Sequence, residues 1–453
     1  MDSNVKANRT PVLGRRKVRH PLSSPTKPPL ASPITSSALP RASEDLGTAL
    51  LAVELALTGD GPWATALTAI NKMPTGPDTA GHPSLFHGAP AQAFALDAAG
   101  ADDYLQVADR AAVTQARLAQ TARDVDLERL IEERLAAATA RVAARHPATT
   151  AELGLTDGML GLGVILLRRA PGSALTQQVI DYIAGLTAPV SIGGVEVPGW
   201  YVAHDPAPGE PTPGGHVNLT MASGAAGLLA FLATAVRAGY SLDSLRTPIQ
   251  TLLDWLLAWQ QPASAEWPDS PWWPRWVTPA EIQAGRLVDG RGAGEPLPSW
   301  SRMAGIARAI QMGAGVLASK PGPRVDDARA AKALAEEAML ACLTDRQVRR
   351  LISPGLWGGL AGLYQAGHRA AGDASGATEL RLWHRMSAVG DALRAQIAGL
   401  PADTPADLWT GESGVRLAAQ TLRRGTAPTS RWDALLLITG NPRPLAPRST
   451  PWS

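Results

Sequence analysis

Short glycine-containing motifs recur along this chain and constrain its fold more than any other feature. Each one precedes an apolar stretch of helical character, such as Leu228–Leu232 or Ile306–Ile310. These motifs, called Gly knots below, are Gly158–Gly163, Gly224–Gly227, Ala304–Gly305, Gly359–Gly362 and Gly411–Gly414, with a weaker one at Gly88–Ala91. Recurrence at this spacing, with one helix pair per unit, predicts an all-α array that is stacked or closed on itself. Because glycine lets backbone approach a ligand closely, the knots are the expected place for a site.

Composition agrees with a helical array and excludes several kinds of site. The 453 residues are 45% hydrophobic and rich in Ala and Leu, which favours helix over sheet. Cys342 is the single cysteine, so a disulfide within the chain and a zinc site built from several cysteines are both excluded. It lies in an apolar helical run, and we expect it to be a buried small hydrophobic residue. Without a long apolar run or a signal sequence, the chain is expected to be cytosolic, with no membrane span.

Charge is distributed unevenly between the N-terminus and the rest of the chain. Residues 1–43 contain eight Lys or Arg and one acid, which gives this segment +7 and leaves −5 for the remainder of a chain with net charge +2. The segment is also rich in Pro and Ser, so we expect a solvated disordered tail. The alternative is an electrostatic handle for an acidic partner or nucleic acid, and we regard nucleic acid as the less favoured partner. The predicted organisation is a basic tail over 1–45, a repeat body over 46–440 and a Pro-rich tail over 441–453.

The body is expected to be helical, with two irregular excursions. Order should begin near Glu44, and apolar periodicity predicts helices over 102–145, 174–186, 242–260, 326–343 and 377–400. The first excursion, residues 187–217, contains a predicted hairpin at Val190–Val197. The second, residues 261–300, contains five tryptophans: Trp267, Trp272, Trp273, Trp276 and Trp300. We expect most of these rings to pack beneath a long loop and one or two to bind a ligand.

Several motifs resemble the lanthionine synthetase C family, the peptide cyclases of lanthipeptide biosynthesis. The resemblance runs from about residue 46 to Asp433 and includes Pro198–Asp205, Thr212–Leu219, Asn218–Gly224, Pro298–Trp300, Gly359–Gln365 and Trp432–Leu437 together with the Gly knots. It implies an α/α toroid, a double ring of about seven inner and seven outer helices, with short β and loop excursions. The glycine-rich turns would point into a central cavity, which agrees with the all-α array, stacked or closed, that the repeats predict.

The resemblance also implies a chemistry, and this chain departs from it at every matched position. Members of the family add a peptide cysteine thiolate to a dehydrated Ser or Thr. Two cysteines and a histidine hold a zinc ion that lowers the pKa of the thiol. The zinc ligands match Ser301, Trp357 and Gly358, and the catalytic His, Asp and Arg match Ser223, Gly154 and Leu297. The loop at Ser301 is also one residue short. We therefore expect no zinc and no confident catalytic residue.

Two functional hypotheses follow. The first is a non-catalytic scaffold that binds a precursor peptide, together with a dehydratase or kinase-lyase of the same pathway. The second is a zinc-independent cyclase that orients a reactive thiol and alkene, since proximity alone lowers a barrier. The positions matched to the catalytic acid and base carry other residues, and this favours the scaffold hypothesis over the cyclase. The predicted peptide-binding residues are Trp200, Ser223, Trp300, Ser301, Arg302, Trp357, Gly358 and His216, with Trp200 and Trp300 near the cavity mouth. His204 and His216 lie where they could face that mouth, but without a cysteine or a His-x-x-x-His spacing we favour a structural histidine at each position.

Overall fold

The structure is a computed structural model that describes residues 43–74, 84–100, 110–206, 210–288 and 296–439, with the backbone alone for 110–123. The predicted tails, residues 1–45 and 441–453, therefore lie outside the described residues, with the exception of residues 43–45. Those three residues belong to the first helix, which begins at Ser43. The α-helices are α1 Ser43–Leu57, α2 Trp63–Lys72, α3 Gly88–Ala98, α4 Arg110–Ala143, α5 Thr150–Leu153, α6 Met159–Arg169, α7 Ala174–Gly185, α8 Ala225–Arg237, α9 Leu242–Ala258, α10 Pro279–Ala284, α11 Met303–Ala318, α12 Val325–Cys342, α13 Asp345–Val348, α14 Leu360–Asp373, α15 Gly376–Ala398 and α16 Glu412–Arg424.

Seven helices form a closed inner ring. Going round the ring, α1, α3, α6, α8, α11, α14 and α16 each pack against the next, and α16 packs back on α1. Within the described residues, α2, α4, α7, α9, α12 and α15 pack on the outside of this ring. Burial differs between the inner helices: 14 of 16 residues are buried in α11, and only six of 13 in α16. The predicted all-α toroid is confirmed, and the chain of contacts shows how it closes.

One glycine in each of six units, called the second glycine below, allows neighbouring inner helices to meet. These glycines are Gly161, Gly227, Gly305, Gly362 and Gly414 in the Gly knots, and Gly47 in α1. A Cβ added at Gly362 would lie 1.9 Å from the carbonyl oxygen of Leu356 and 3.1 Å from Cβ of Trp300 in the preceding unit. The same close approach to the preceding unit recurs round the ring, at Gly161 against Leu85, Gly305 against Met221, Gly414 against Leu356 and Gly47 against Leu408. These glycines are therefore packing positions between units, and the last of them closes the ring.

The loop before α11 is one residue shorter than the loops before α6, α8, α14 and α16. In four units the carbonyl oxygen nearest to the second glycine belongs to the residue six positions earlier, as for Gly362 and Leu356. In α11 the nearest oxygen to Gly305 is that of Trp300, five positions earlier, and the added Cβ would again lie 1.9 Å away. Arg302 stands at the helix start, where α6, α8, α14 and α16 have glycine. The loop that contains Ser301 is thus one residue shorter than its counterparts in the same ring.

After α16 the chain crosses back over the ring as a segment of residues 429–439, here called the C-terminal strap. It contains a short 3₁₀ helix, Trp432–Leu436. Backbone groups of the strap bond to side chains of the inner helices: Glu54 of α1, Arg168 of α6, Arg237 of α8 and Arg308 of α11. The strap in turn supplies Asp433, which accepts from Gln365 and Arg369 of α14. One short segment thus connects helices from most of the ring.

The remaining expectations on secondary structure are largely confirmed. The helices predicted at 174–186, 242–260, 326–343 and 377–400 are present within two residues at each end. The helix predicted from 102 is described from Arg110, and residues 101–109 lie outside the described part. The predicted hairpin is β1 Pro189–Ile192 paired antiparallel with β2 Val195–Pro198, and a second small pair joins β3 Val217–Asn218 to β4 Trp276–Val277.

Cys342 is fully buried, which raises the pKa of its thiol.

Candidate functional site

Four aromatic rings meet where the N-terminal ends of α3, α11, α14 and α16 come together. This aromatic cluster consists of Phe86, Trp300, Trp357 and Trp409. Trp300 and Trp409 are stacked with ring centroids 5.6 Å apart and an interplanar angle of 17°. Trp357 stands edge-on to both, at 5.6 Å from Trp300 and 5.1 Å from Trp409, and Phe86 lies 4.6 Å from Trp409. Edge-to-face and offset contacts of this kind are favoured between aromatic rings.

Only Trp357 within the cluster is partly open to solvent. Phe86, Trp300 and Trp409 are buried, whereas Trp357 is half-buried and the neighbouring Gly358 is exposed. The backbone fixes Trp357 in this place, because its N–H and that of Leu356 both donate to the carbonyl oxygen of Trp409, at 3.1 and 2.7 Å. The cluster therefore presents one indole on a rigid, fully packed base.

The positions matched to the zinc ligands do not fit a metal ion. Ser301 is buried and its Oγ lies 3.2 Å from Oγ of Ser299. Trp357 fills space with an indole, which offers a donor and no lone pair, and Gly358 has no side chain. Within the ranges that the structure describes, no group of three or more His, Cys, Asp or Glu residues could hold a metal ion. A tetrahedral zinc site needs such groups, so the donor set present here is unsuited to one.

The two histidines considered for the cavity mouth, His204 and His216, make hydrogen bonds within the fold. His216 is 1% exposed, and its Nδ1 lies 3.0 Å from the carbonyl oxygen of His204. Burial, followed by the nearby charges, lowers the pKa of His216 to about 4, so the ring is neutral at pH 7. Nε2 of His204 accepts from the backbone N–H of Thr150 at 3.3 Å. His216 packs edge-on to Trp276 inside the fold, as favoured for a structural histidine, and does not stand at a cavity mouth.

Two predicted binding tryptophans are also core residues. Trp200 is 1% exposed and packs edge-on against Trp255 with ring centroids 5.7 Å apart. Trp300 is fully buried, and its Nε1 donates to the carbonyl oxygen of Leu436 at 2.8 Å. Neither ring stands at a cavity mouth as expected, because both indoles are covered by other parts of the chain. The preference for packing in the 261–300 excursion is confirmed by the burial of Trp267, Trp273 and Trp276.

The other matched positions carry no acid or base. Ser223 is half-buried, and its Oγ accepts from Nδ2 of Asn218 at 3.2 Å. The N–H of Gly154 donates to the carbonyl oxygen of Thr150, and the carbonyl oxygen of Leu297 accepts from Met303. Arg302, half-buried at the start of α11, is the one charged side chain among the predicted residues. The predicted positions therefore include an apolar ring and a cation, and none of them carries a carboxylate.

Sequence reasoning missed Phe86 and Trp409, although a signal for them exists. Each member of the cluster lies five residues before a small residue of its knot: Phe86 before Ala91, Trp300 before Gly305, Trp357 before Gly362 and Trp409 before Gly414. The knots of α6 and α8 have Thr156 and Ala222 at that position instead. Aligning the repeats on each other would therefore have found four aromatic residues on one side of the ring.

Comparisons with known proteins support the fold. No protein-family model matches this chain, and a search of curated proteins finds no match. Among solved structures, nisin cyclase is similar with a TM-score of 0.68 and 16% sequence identity, over 87% of this chain and 90% of that one. The closed ring, the Gly knots and this likeness agree with one another. The protein therefore has the lanthionine synthetase C-like fold, an α/α toroid.

Proposed function

We propose that this protein is a non-catalytic, peptide-binding relative of the lanthionine cyclases that acts in the maturation of a lanthipeptide. The ring and its Gly knots supply the fold in which such enzymes hold a peptide. The residues at the matched catalytic positions, Gly154, Ser223 and Leu297, supply no acid or base. A site of this kind holds its ligand without transforming it. The cytosolic location expected from the sequence is part of this proposal, and no described helix is both long and apolar enough to cross a bilayer.

The half-buried indole of Trp357 is the observation that carries the proposal. It stands where a zinc ligand is expected, on a base formed by three buried rings, with its backbone tied to Trp409. A rigid tryptophan offers a large apolar face at a low cost in side-chain entropy, which is why such residues dominate binding energy at interfaces. The ligand that fits best is a precursor peptide that presents an apolar or aromatic side chain.

Binding and cyclisation can be measured in one experiment. A synthetic peptide with one cysteine and one dehydroalanine is titrated into the protein by calorimetry, while free thiol is counted over time. We expect binding with thiol loss no faster than in buffer, and about tenfold weaker affinity for Trp357→Ala, which corresponds to about 1.4 kcal/mol. The matched control is Trp383→Ala, a partly exposed tryptophan on the outer helix α15, which should bind as the wild type does.

The competing hypothesis is a zinc-independent cyclase, and the same experiment separates the two. Thiol consumption above the rate in buffer that depends on Trp357 would support the cyclase and contradict the scaffold. Absence of any affinity for dehydrated peptides would contradict peptide binding and leave a role with partner proteins. A dehydratase or kinase-lyase of the same pathway is the partner that we propose, and co-purification with such an enzyme would support it.

The absence of zinc is a separate part of the proposal. Ser301, Trp357 and Gly358 offer no thiolate or imidazole, so we expect well under one zinc per chain after purification in zinc-supplemented medium. Elemental analysis of the purified protein, with the protein concentration from amino-acid analysis, measures this ratio. One zinc per chain that is lost in His204→Ala or His216→Ala would contradict the proposal.

A further inference from the structure

The C-terminal strap and the aromatic cluster are joined by one hydrogen bond. Nε1 of Trp300 donates to the carbonyl oxygen of Leu436 at 2.8 Å. The same indole stacks on Trp409 and meets Trp357 edge-on, with both centroids 5.6 Å away. Trp300 is fully buried, so water cannot replace this acceptor if the strap moves. The orientation of the Trp300 ring therefore depends on where the strap holds the Leu436 carbonyl.

The strap is itself held firmly on both sides of Leu436. Three residues earlier, Asp433 is fully buried and accepts from Nε and Nη2 of Arg369 at 2.6 and 2.8 Å. Two residues later, the carbonyl oxygen of Ile438 accepts from Nε of the fully buried Arg308 at 3.1 Å. Charge-assisted bonds in a buried setting are stronger and more directional than neutral ones. The Leu436 carbonyl thus has a fixed place relative to α11 and α14, the helices that follow Trp300 and Trp357.

We propose that the C-terminal strap is a positioning element for the ligand-binding face of Trp357, with Trp300 as the positioning residue between them. The strap fixes the Trp300 ring through Leu436, and that ring fixes the edge-on placement of Trp357. A change in the strap should therefore alter the exposure of Trp357 without any change in the residues around it. The consequence for peptide affinity rests on the proposed function, whereas the effect on Trp357 itself does not.

Two test variants and two matched controls examine this connection. Trp300→Phe removes the N–H that reaches the strap, and Asp433→Asn weakens the attachment of the strap to Arg369 without touching the cluster. Trp200→Phe is the control for the first, since Trp200 is equally buried and donates no hydrogen bond to protein. Glu152→Gln is the control for the second, because Glu152 pairs closely with Arg141 away from the strap. Thermal midpoints are measured for all four variants.

The decisive readout is the rate at which hydroxyl radicals oxidise Trp357, measured by peptide mapping with mass spectrometry. We expect a several-fold change in this rate in Trp300→Phe and in Asp433→Asn, and none in either control at a similar loss of thermal midpoint. The double variant Trp300→Phe with Asp433→Asn should change the rate no more than the larger single effect, because both act through one contact. Rates that follow the thermal midpoint in all four variants, or that stay unchanged in the test variants, would overturn the proposal.

Peptide binding by the same variants separates this proposal from the proposed function. If the wild type binds the dehydrated peptide, the two test variants should bind about tenfold more weakly and the controls unchanged. If the wild type does not bind, peptide binding fails while the oxidation rates still decide whether the strap positions Trp357. Should Asp433→Asn fail to fold, Glu54→Gln takes its place, since Glu54 accepts from the backbone N–H groups of Thr429 and Ser430 at the other end of the strap.

Discussion

Glycine at the second position of a Gly knot has a packing role that can be tested at a single residue. The carbonyl oxygen of Leu356 approaches Gly362 too closely for any Cβ, and Cβ of Trp300 would make a tight contact with one at 3.1 Å. Gly372, ten residues later on the same helix, has open space on the side where a Cβ would go. The two glycines therefore differ in surroundings while sharing a helix, which makes them a matched pair.

We predict opposite effects for alanine at these two glycines. Gly362→Ala should lower the free energy of unfolding by about 3 kcal/mol or more, because the added Cβ forces backbone to move in a packed core. Gly372→Ala should raise it by about 0.5 kcal/mol, since alanine loses less conformational entropy in a helix. Urea unfolding of both variants measures these values, and a small loss for Gly362→Ala would contradict the close approach.

The sequence predicted single residues with uneven success, and the reason is physical. Positions assigned from local spacing, such as Ser301, Trp357 and Gly358, lie just before the helices α11 and α14, and their role in binding stays a prediction. The burial of Trp200 and Trp300 depends on Trp255 and on Leu436, which lie far away in the sequence. No local pattern contains that information, so both rings were expected at a cavity mouth.

Among the elements, the C-terminal strap was the least predictable. Its short helix is bracketed by Arg431 and Leu437, both in the left-handed region with φ of 55° and 54°. Non-glycine residues adopt this conformation at a cost, so tertiary contacts must hold the strap in place. The long helices were predictable because their apolar periodicity is local, whereas the strap owes its path to side chains on four other helices.

The buried pair of Asp433 and Arg369 predicts how the stability of the protein depends on pH. Burial alone would raise the pKa of Asp433, but the charge of Arg369 and the hydrogen bonds from Arg369 and Gln365 outweigh it and hold this pKa below the ordinary value of 3.8. The stabilisation is therefore present above pH 3.8 and is lost as the pH falls further, through the lowered pKa of the folded state.

Asp433→Asn should accordingly lose about 3 kcal/mol at pH 7, and its stability should approach that of the wild type as the pH falls below 3.8. Urea midpoints at several pH values provide the comparison. Asp326→Asn, which removes a carboxylate from an exposed pair with Arg329, should follow the wild type at every pH. A constant difference between Asp433→Asn and the wild type down to the most acidic pH would contradict the assignment.

On the scale of the whole molecule, the repeats form a closed ring instead of an open stack. Packing of α16 on α1 brings Leu408 against Gly47, and the strap ties α1 to α6, α8, α11 and α14. Open repeat arrays unfold in parts because each unit contacts only its neighbours. The sequence repeats predicted the array, and the choice between stacking and closure required the contacts between its two ends.

Closure predicts that the body unfolds in a single cooperative step. Tryptophan fluorescence, which reports on the buried rings, and far-ultraviolet circular dichroism, which reports on helix, should give the same urea midpoint. Gly47→Leu should disturb the junction between the first and last inner helices and separate these two midpoints, whereas Gly185→Ala, in open space on α7, should not. Separate transitions in the wild type would indicate that the ring opens before it unfolds.

The shortened loop before α11 bears on whether a zinc site could be built in this chain. Such a site would need new side chains at 301, 357 and 358, and position 301 lies in a loop one residue shorter than its counterparts. None of these changes alone creates a tetrahedral ligand set, so selection for zinc chemistry could not act on any single one. An insertion there would also displace the indole at 300, on which the packing of three units depends. A tetrahedral zinc site is therefore out of reach of any single substitution in this chain.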